Sequence, residues 1–93
     1  MQYEWREFTN GLGEKWRGLL PTNQPNNWSL DRIASIYRRP DGQYVAGYHY
    51  PHSTGNKQGN GAYHKTLRGS QRWVEFQLAK FWEPPHIVNP VVN

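Results

Sequence analysis

The chain has 93 residues, no cysteine and a formal net charge of +4 at neutral pH. A chain of this length forms one domain, and without cysteine it has neither disulfide bonds nor thiolate metal sites. Apolar residues make up only 35% of the sequence, so the core must be built largely from five Trp, six Tyr and three Phe residues.

The amino-terminal segment MQYEWREF lacks the basic and apolar regions of a signal peptide. No apolar run in the sequence reaches the roughly 20 residues that cross a bilayer. A chain without disulfide bonds also suits a reducing compartment. We therefore expect a soluble cytoplasmic protein without a membrane partner.

The positive charge is concentrated in the middle of the chain. Residues 32–72 carry seven cations against one acid, Asp41, whereas residues 1–31 and 73–93 each carry a net charge of −1. The seven cations are Arg32, Arg38, Arg39, Lys57, Lys65, Arg68 and Arg72. Such a basic segment is typical of a protein that binds nucleic acid or another anionic partner, although a solvated surface also accounts for it.

The amino-terminal third of the chain predicts an arm and a linker. In residues 1–20, aromatic and polar residues alternate at the start and Asn10-Gly11 favours a tight turn, so a strand or hairpin is expected. Residues 21–27, PTNQPNN, contain two prolines, three asparagines and no apolar side chain beyond the prolines, which predicts a linker.

The predicted core, residues 28–83 of a single domain covering 1–93, contains a β-hairpin. Its turn is Pro40-Asp41-Gly42, because proline fixes φ, aspartate bonds the local backbone and glycine accepts the left-handed conformation. Residues in the strand that follows alternate between the two sides of the sheet. The inward side is predicted to carry Tyr44, Ala46 and Tyr48, and the outward side Gln43, Val45, Gly47 and His49.

The second half of the core predicts a loop, a strand and a helix. STGNKQGNG at 53–61 is expected to be a mobile loop, and AYHKTL at 62–67 a third strand. The helix is expected to begin with Ser70 as its N-cap and to end before Pro84-Pro85. Its apolar stripe consists of Val74, Leu78, Phe81 and Trp82.

This order of elements predicts an α+β fold, with a small three-stranded antiparallel sheet packed on one C-terminal helix and an N-terminal strand or hairpin arm. The extended tail at 84–93 contains four β-branched aliphatic residues. Three roles stay open for this tail: an edge strand, a cover over a crevice, or self-association.

Residues 36–49 resemble a known DNA-binding hairpin. Their stretch RPDGQYVA is similar to the R-P-x-G-(K)-(aromatic)-x-A turn of plant ethylene-response-type DNA-binding domains, whose relatives occur at the amino terminus of phage and transposon integrases. The resemblance implies a three-stranded sheet on one helix, whose sheet face enters the DNA major groove with Arg39 and His49 as contacts. Asp41 and Gly47 replace a groove-contacting Trp and an acidic base contact of the plant domains, so the resemblance does not imply base-specific reading.

The leading functional hypothesis is non-catalytic binding of duplex DNA, in which a basic hairpin face contacts phosphates. The predicted contact residues are Arg38, Arg39, His49, Lys57, Lys65, Arg68 and Arg72. Base stacking is a further role considered for Trp5, Trp16 and Trp28, although the core is expected to require most of these rings.

Two alternative hypotheses remain. A small phage or mobile-element inhibitor, such as an anti-CRISPR or other anti-defence protein, would bind and block a host nucleic-acid-processing complex. A metal-free ribonuclease toxin would use a histidine as acid and base beside an arginine or lysine. His49, His52 and His64 are the candidate metal ligands, but no acid is near His49 and His52 and the chain has no cysteine, so we predict no metal and no other cofactor. No histidine pairs with a glutamate at a recognisable spacing, so we predict no enzymatic activity.

Overall fold

The computed structural model describes residues 2–9, 11–24, 31–52, 55–81 and 83–91, with side chains described outside 50–62. Within these residues the fold is α+β, as predicted, and consists of a curled six-stranded mixed sheet and one helix. None of the described residues belongs to a helix long and apolar enough to cross a membrane.

The elements in chain order are β1 (Gln2–Thr9), β2 (Lys15–Pro21), β3 (Ala34–Arg38), β4 (Tyr44–His52), β5 (Gly55–His64), α1 (Leu67–Leu78) and β6 (His86–Ile87). The sheet order is β5-β4-β3-β2-β1-β6, in which β6 runs parallel to β1 and the other neighbours are antiparallel. The prediction of three strands is therefore wrong. The amino-terminal hairpin joins the sheet because Tyr3 and Trp5 bury their rings in the same core as the later strands.

Residues 55–61 of the polar stretch predicted to be a mobile loop are instead part of β5, and residues 53–54 lie outside the described residues. The backbone of β5 pairs antiparallel with β4 as far as His52 opposite Gly55, with a register irregularity opposite Ala46 to Tyr48. Composition misled the prediction, because a strand at the edge of a sheet needs backbone hydrogen bonds more than apolar side chains. The strand predicted at 62–67 correspondingly ends at His64.

Helix α1 begins earlier than predicted. Its N-cap is Thr66, which has extended backbone angles and whose Oγ1 accepts a hydrogen bond from the Gly69 backbone N–H at 3.0 Å. Ser70, the predicted N-cap, lies inside the helix and is fully buried. The helix ends at Leu78, so Phe81 was wrongly predicted to lie inside it, although its ring packs on the core from beyond the helix. Trp82 lies outside the described residues.

The helix covers one face of the sheet, which we call the covered face. The buried core there consists of Tyr3, Trp5, Leu19, Ile33, Ala34, Ile36, Ala46, Val74 and Leu78. Tyr44 and Tyr48 pack against this cluster, so the predicted inward side of β4 is confirmed. The Tyr48 ring lies 5.7 Å from the Trp73 ring and 5.9 Å from the Phe81 ring, which joins β4 to the helix.

The carboxyl-terminal tail pairs with the outer edge of β1, which confirms the edge-strand role. After β6, the Asn89 side chain accepts from the Trp5 backbone N–H at 2.8 Å and donates to the Trp5 carbonyl at 3.1 Å. Glu75 of the helix then accepts from both Trp5 Nε1 (2.8 Å) and the Val91 backbone N–H (2.9 Å). One carboxylate thus ties the helix, β1 and the tail together.

The segment predicted to be a linker is described only in part. Pro21 is the last residue of β2, and residues 22–24 form a turn in which the Gln24 N–H donates to the Pro21 carbonyl at 3.1 Å. Residues 25–27 lie outside the described residues.

Candidate nucleic-acid interface

One end of the sheet, which we call the turn edge, collects the β1–β2 turn, the β3–β4 turn, the end of β5 and the start of α1. The strand registers fix this arrangement, since Lys15 pairs with Thr9, Arg38 with Tyr44, and Tyr44 with His64. The cations of the turn edge are Lys15, Arg17, Arg38, Arg39, Lys65 and Arg68. Its acids in the described residues are Glu7, Glu14 and Asp41. Positive charge therefore predominates at this end of the sheet.

The β3–β4 turn has the conformation that the sequence predicts. Gly42 has a φ of +89°, and its N–H donates to the Arg39 carbonyl at 2.9 Å. Asp41 accepts a hydrogen bond from the Gln43 N–H at 3.0 Å, and its other carboxylate oxygen lies 3.4 Å from an Arg39 nitrogen. The turn therefore holds Arg38 and Arg39 at the tip of a rigid hairpin.

A cleft of about 180 Å³ opens at the turn edge between the sheet and the first residue of α1. Its charged lining residues are Glu7, Lys15, Arg17 and Arg38, with Tyr44 and Leu67 beside them. Glu7 lies 4.0 Å from the Lys15 ammonium and 3.6 Å from an Arg17 nitrogen. Arg17 Nε is buried and has no hydrogen-bond partner among the described residues. One carboxylate thus faces three cations, which favours an added anion.

Several predicted contact residues are exposed and unpaired with acids. Four of the predicted contact residues form no ion pair within the part of the chain that the structure describes: Arg38, Lys65, Arg68 and Arg72. The first turn of α1 carries no acidic side chain. Because a helix amino terminus already favours anions, its neighbours Arg68 and Lys65 reinforce the same preference.

The structure does not bring all predicted contact residues together. His49 lies five residues along β4 from Tyr44, about 17 Å from the turn edge, and is exposed. The Lys57 backbone pairs with Tyr50 still farther along the strand, and its side chain is outside the described set. Arg32 also precedes the far end of β3, where desolvation lowers its pKa from the ordinary value. The turn edge therefore includes Arg38, Arg39, Lys65 and Arg68, with Arg72 farther along the helix.

Sequence reasoning missed Lys15 and Arg17, because the net charge of residues 1–31 is negative and that segment was expected to form a separate arm. A signal was present in Lys15-Trp16-Arg17, which follows a glycine-rich turn. Alternation in a strand places both cations on one side and the tryptophan on the other.

The sheet face opposite the helix, which we call the outer face, carries a continuous row of large side chains. Register pairs place one residue of the row on each of β1 to β5: Phe8, Trp16, Tyr37, Val45 and Tyr63. The Trp16 and Tyr37 rings lie 4.6 Å apart, and the Arg39 guanidinium lies 5.0 Å from the Tyr63 ring centre. Tyr63 is 54% exposed, and the other four residues are half-buried.

Because of this aromatic row, the outer face is bulkier than the predicted outward surface. The small residues Val45 and Gly47 lie on the outer face as expected, but aromatic residues of the neighbouring strands surround them. Of the tryptophans considered for base stacking, Trp5 is buried on the covered face, Trp16 lies on the outer face, and Trp28 is outside the described residues.

The strand histidines His49 and His64 lie on opposite faces of the sheet. His49 is exposed on the outer face. His64 lies on the covered face, where its ring is 6.0 Å from that of Trp73 and its Nδ1 has no hydrogen-bond partner among described residues. These two side chains therefore do not form an acid–base pair. Over the described ranges, no three His, Asp or Glu side chains cluster closely enough to hold a metal ion.

No family model, no curated protein and no solved structure matches the chain. The resemblance of the hairpin to plant and integrase DNA-binding domains therefore stays a prediction.

Proposed function

We propose that the protein binds nucleic acid without catalysis, by contacting phosphates with the cations of the turn edge. The observation that carries this proposal is convergence: cations from β2, the β3–β4 turn, the end of β5 and the start of α1 meet at one end of the sheet. Six cations there oppose three acids, a net charge of +3 from a chain whose total is +4. Phosphate contacts release counterions, which supplies most of the affinity of non-specific nucleic-acid binding.

The availability of these cations supports the proposal. Arg38, Lys65 and Arg68 contact no acid in the described part of the chain, so a phosphate replaces water rather than a protein carboxylate. Arg6 provides the contrast, because its guanidinium bonds Glu4 at 2.7 Å and the Gln24 carbonyl at 2.7 Å. Arg6 is therefore structural, whereas Arg38, Lys65 and Arg68 form no ion pair in the described part of the chain and can bind an anion.

The form of the nucleic acid is a separate question. The duplex prediction depended on a flat, small outer face that would enter a major groove. In the structure the outward side chains of β4 are small, but large aromatic side chains lie on the same face of the other strands: Trp16 on β2, Tyr37 on β3 and Tyr63 on β5. The proposal therefore concerns phosphate contacts, which single strands and duplexes both offer.

Fluorescence anisotropy of labelled oligonucleotides at several salt concentrations tests the proposal. For about six phosphate contacts, the slope of log K against log salt is expected to be roughly −4 to −6. Replacing Arg38 and Arg39 together by Glu should abolish binding at moderate salt. Lys80→Glu is the matched control, because Lys80 lies beyond the opposite end of α1 against the Phe76 ring. Absence of binding even at low salt would contradict the proposal.

A second candidate function is inhibition of a host nucleic-acid-processing complex through a protein–protein contact. One observation favours it: Phe76 on α1 is 63% exposed, although large aromatic side chains are normally buried. Phe76 lines a cleft with Arg72 and Val91, so an apolar ring, a cation and the tail share one surface. Aromatic residues and arginine are enriched where protein interfaces concentrate their binding energy.

Site-specific crosslinking distinguishes the two functions. A photoreactive phenylalanine analogue at position 76 should crosslink to a protein partner in cells if the protein is an inhibitor. The same analogue at Tyr63 should crosslink to nucleic acid if the turn edge and outer face bind it. Crosslinks to protein at position 76 together with a loss of inhibition in Phe76→Ala would favour the second function. Crosslinks to nucleic acid alone would favour the first.

A further inference from the structure

We infer that the outer-face row stacks the unpaired bases of a single-stranded nucleic acid, while the turn edge holds the phosphates. This inference rests on the proposed function and names its ligand more closely. Phosphate contacts alone do not distinguish a single strand from a duplex. The aromatic row supplies the element that makes the distinction.

The row provides a stacking surface of suitable size. Five residues on five adjacent strands, about 4.8 Å apart, extend over about 19 Å. Four of the five are aromatic, and none belongs to the described core between the sheet and the helix. Aromatic side chains on the face of a sheet stack two or three splayed bases in RNA-binding domains. The row has the length and chemistry for a ligand of that size.

Cations flank the row on the side of the turn edge. Arg39 directly follows β3 and reaches the Tyr63 ring on the outer face. Lys65 directly follows β5 at the turn edge, two residues after Tyr63, and is exposed. The Arg39 guanidinium already stacks on the Tyr63 ring at 5.0 Å, which shows that this ring accepts a flat cationic group. A strand whose bases lie on the rings can therefore place phosphates against Arg39 and Lys65.

The part of the outer face that lies farther from the turn edge is covered by protein, so the stacking surface ends there. Leu20 is fully buried there, and Arg6 donates to the carbonyl oxygens of Pro21, Thr22 and Gln24. The connection after β2 thus occupies the region beyond Arg6. Among the described residues of the outer face, those next to the turn edge combine partly exposed rings with a neighbouring cation.

Unpaired bases fit this surface better than a duplex does. In a duplex the flat faces of the bases are stacked on one another, and a protein reaches only their edges in the grooves. Rings such as Trp16 and Tyr63 bind the flat faces, which only an unstacked base presents. Stacking is also tolerant of sequence, so no base preference is expected from this row.

Three labelled ligands of equal length test the inference: a single-stranded DNA, its blunt duplex, and the same single strand without bases. At one ionic strength the natural single strand should bind at least about tenfold more tightly than the abasic strand, since stacking contributes roughly 1–3 kcal/mol per base. Tyr63→Ala should weaken binding of the natural strand by about fivefold or more and leave the abasic strand unchanged. Phe76→Ala is the matched control, because Phe76 is an exposed aromatic residue on the helix and should alter neither affinity.

The outcomes separate this inference from the proposed function. Equal binding of all three ligands, with no effect of Tyr63→Ala, would overturn base stacking and leave phosphate binding intact. Tighter binding of the duplex than of the single strand would also overturn it and restore the duplex prediction. Absence of binding to every ligand at low salt would overturn the proposed function and the inference together.

Discussion

The two faces of the sheet use similar residues for different purposes. On the covered face, Trp5, Leu19 and Ile36 are buried beneath α1 and hold the fold together. On the outer face, Trp16 and Tyr37 contact each other but remain half-buried. Aromatic content alone therefore does not reveal which rings form the core. Among the described elements, α1 packs on the covered face, and this packing buries the rings there.

The cations of the two sheet faces are also arranged differently. On the covered face, Arg17, Lys15 and Arg38 line the cleft at the open end, where the helix begins. On the outer face, Arg39 lies against the Tyr63 ring of the aromatic row, and the exposed Lys65 follows β5 at the same end of the sheet. The turn edge is thus the place where both faces present positive charge. A ligand that contacts both the aromatic row and these cations must approach at this edge.

The largest expected effect concerns the covered face. Leu19 is 0% exposed beneath the helix, and Leu19→Ala should lower the free energy of unfolding by about 2–5 kcal/mol, because it leaves a cavity in a close-packed core. Urea denaturation monitored by tryptophan fluorescence measures this change. Leu12→Ala is the control, since Leu12 is 86% exposed and should change stability by less than about 0.5 kcal/mol. Similar effects of the two substitutions would show that the covered face is not the main core.

The next largest effect concerns the attachment of the tail to the covered face. Glu75→Ala should lower the free energy of unfolding by about 2–3 kcal/mol, because Trp5 Nε1 and the Val91 N–H both lose a charged acceptor. Hydrogen exchange should also show faster exchange of the Val91 amide. Glu75→Gln keeps a side-chain oxygen acceptor and should have a smaller effect on both measurements. Unchanged Val91 exchange in Glu75→Ala would contradict the role assigned to this carboxylate.

The fold was predictable where local chemistry determines structure. The turn at Pro40-Asp41-Gly42 and the inward side of β4 depend on φ preferences and strand alternation, both of which are visible in a short stretch. The helix was found through its apolar period, although its N-cap was misplaced by four residues from Thr66 to Ser70. Serine and threonine are both good N-caps, so the sequence alone did not separate them.

The remaining features depend on contacts between distant segments. Residues 55–61 form a strand because β4 offers a free edge, which composition does not show. The tail is ordered against β1 by Asn89 and Glu75, residues separated from Trp5 by most of the chain. For the same reason the sequence located Arg38 and Arg39 but missed Lys15 and Arg17, whose partners in the site come from other strands. The aromatic row, assembled from five strands, had no local signal at all.

A smaller effect is expected at the turn that joins β3 to β4. Gly42→Ala should destabilise the protein by about 1–2 kcal/mol, because φ at this position is +89° and an L side chain is strained there. Nucleic-acid affinity should fall as well, since the turn positions Arg38 and Arg39. Gly11→Ala is the control, because Gly11 is not among the glycines with positive φ and no atom lies within 4 Å of its added Cβ. Thermal denaturation and anisotropy measure the two effects, and equal stability of both variants would contradict the strain argument.

The smallest effect on stability is expected on the outer face. Tyrosine occurs on both faces, so substitutions of Tyr63 and Tyr48 compare the two faces directly. Tyr63→Ala should change the free energy of unfolding by less than about 0.5 kcal/mol, because the ring is 54% exposed and its main described contact is with Arg39. Tyr48→Ala should be more destabilising, since the Tyr48 ring contacts Trp73 and Phe81. Urea denaturation of both variants, followed by anisotropy with the single strand, compares stability with binding. If Tyr63→Ala lost stability as well as affinity, the outer face would be part of the core rather than a surface for a ligand. If it lost affinity alone, the two faces would have separate roles, one for folding and the other for binding.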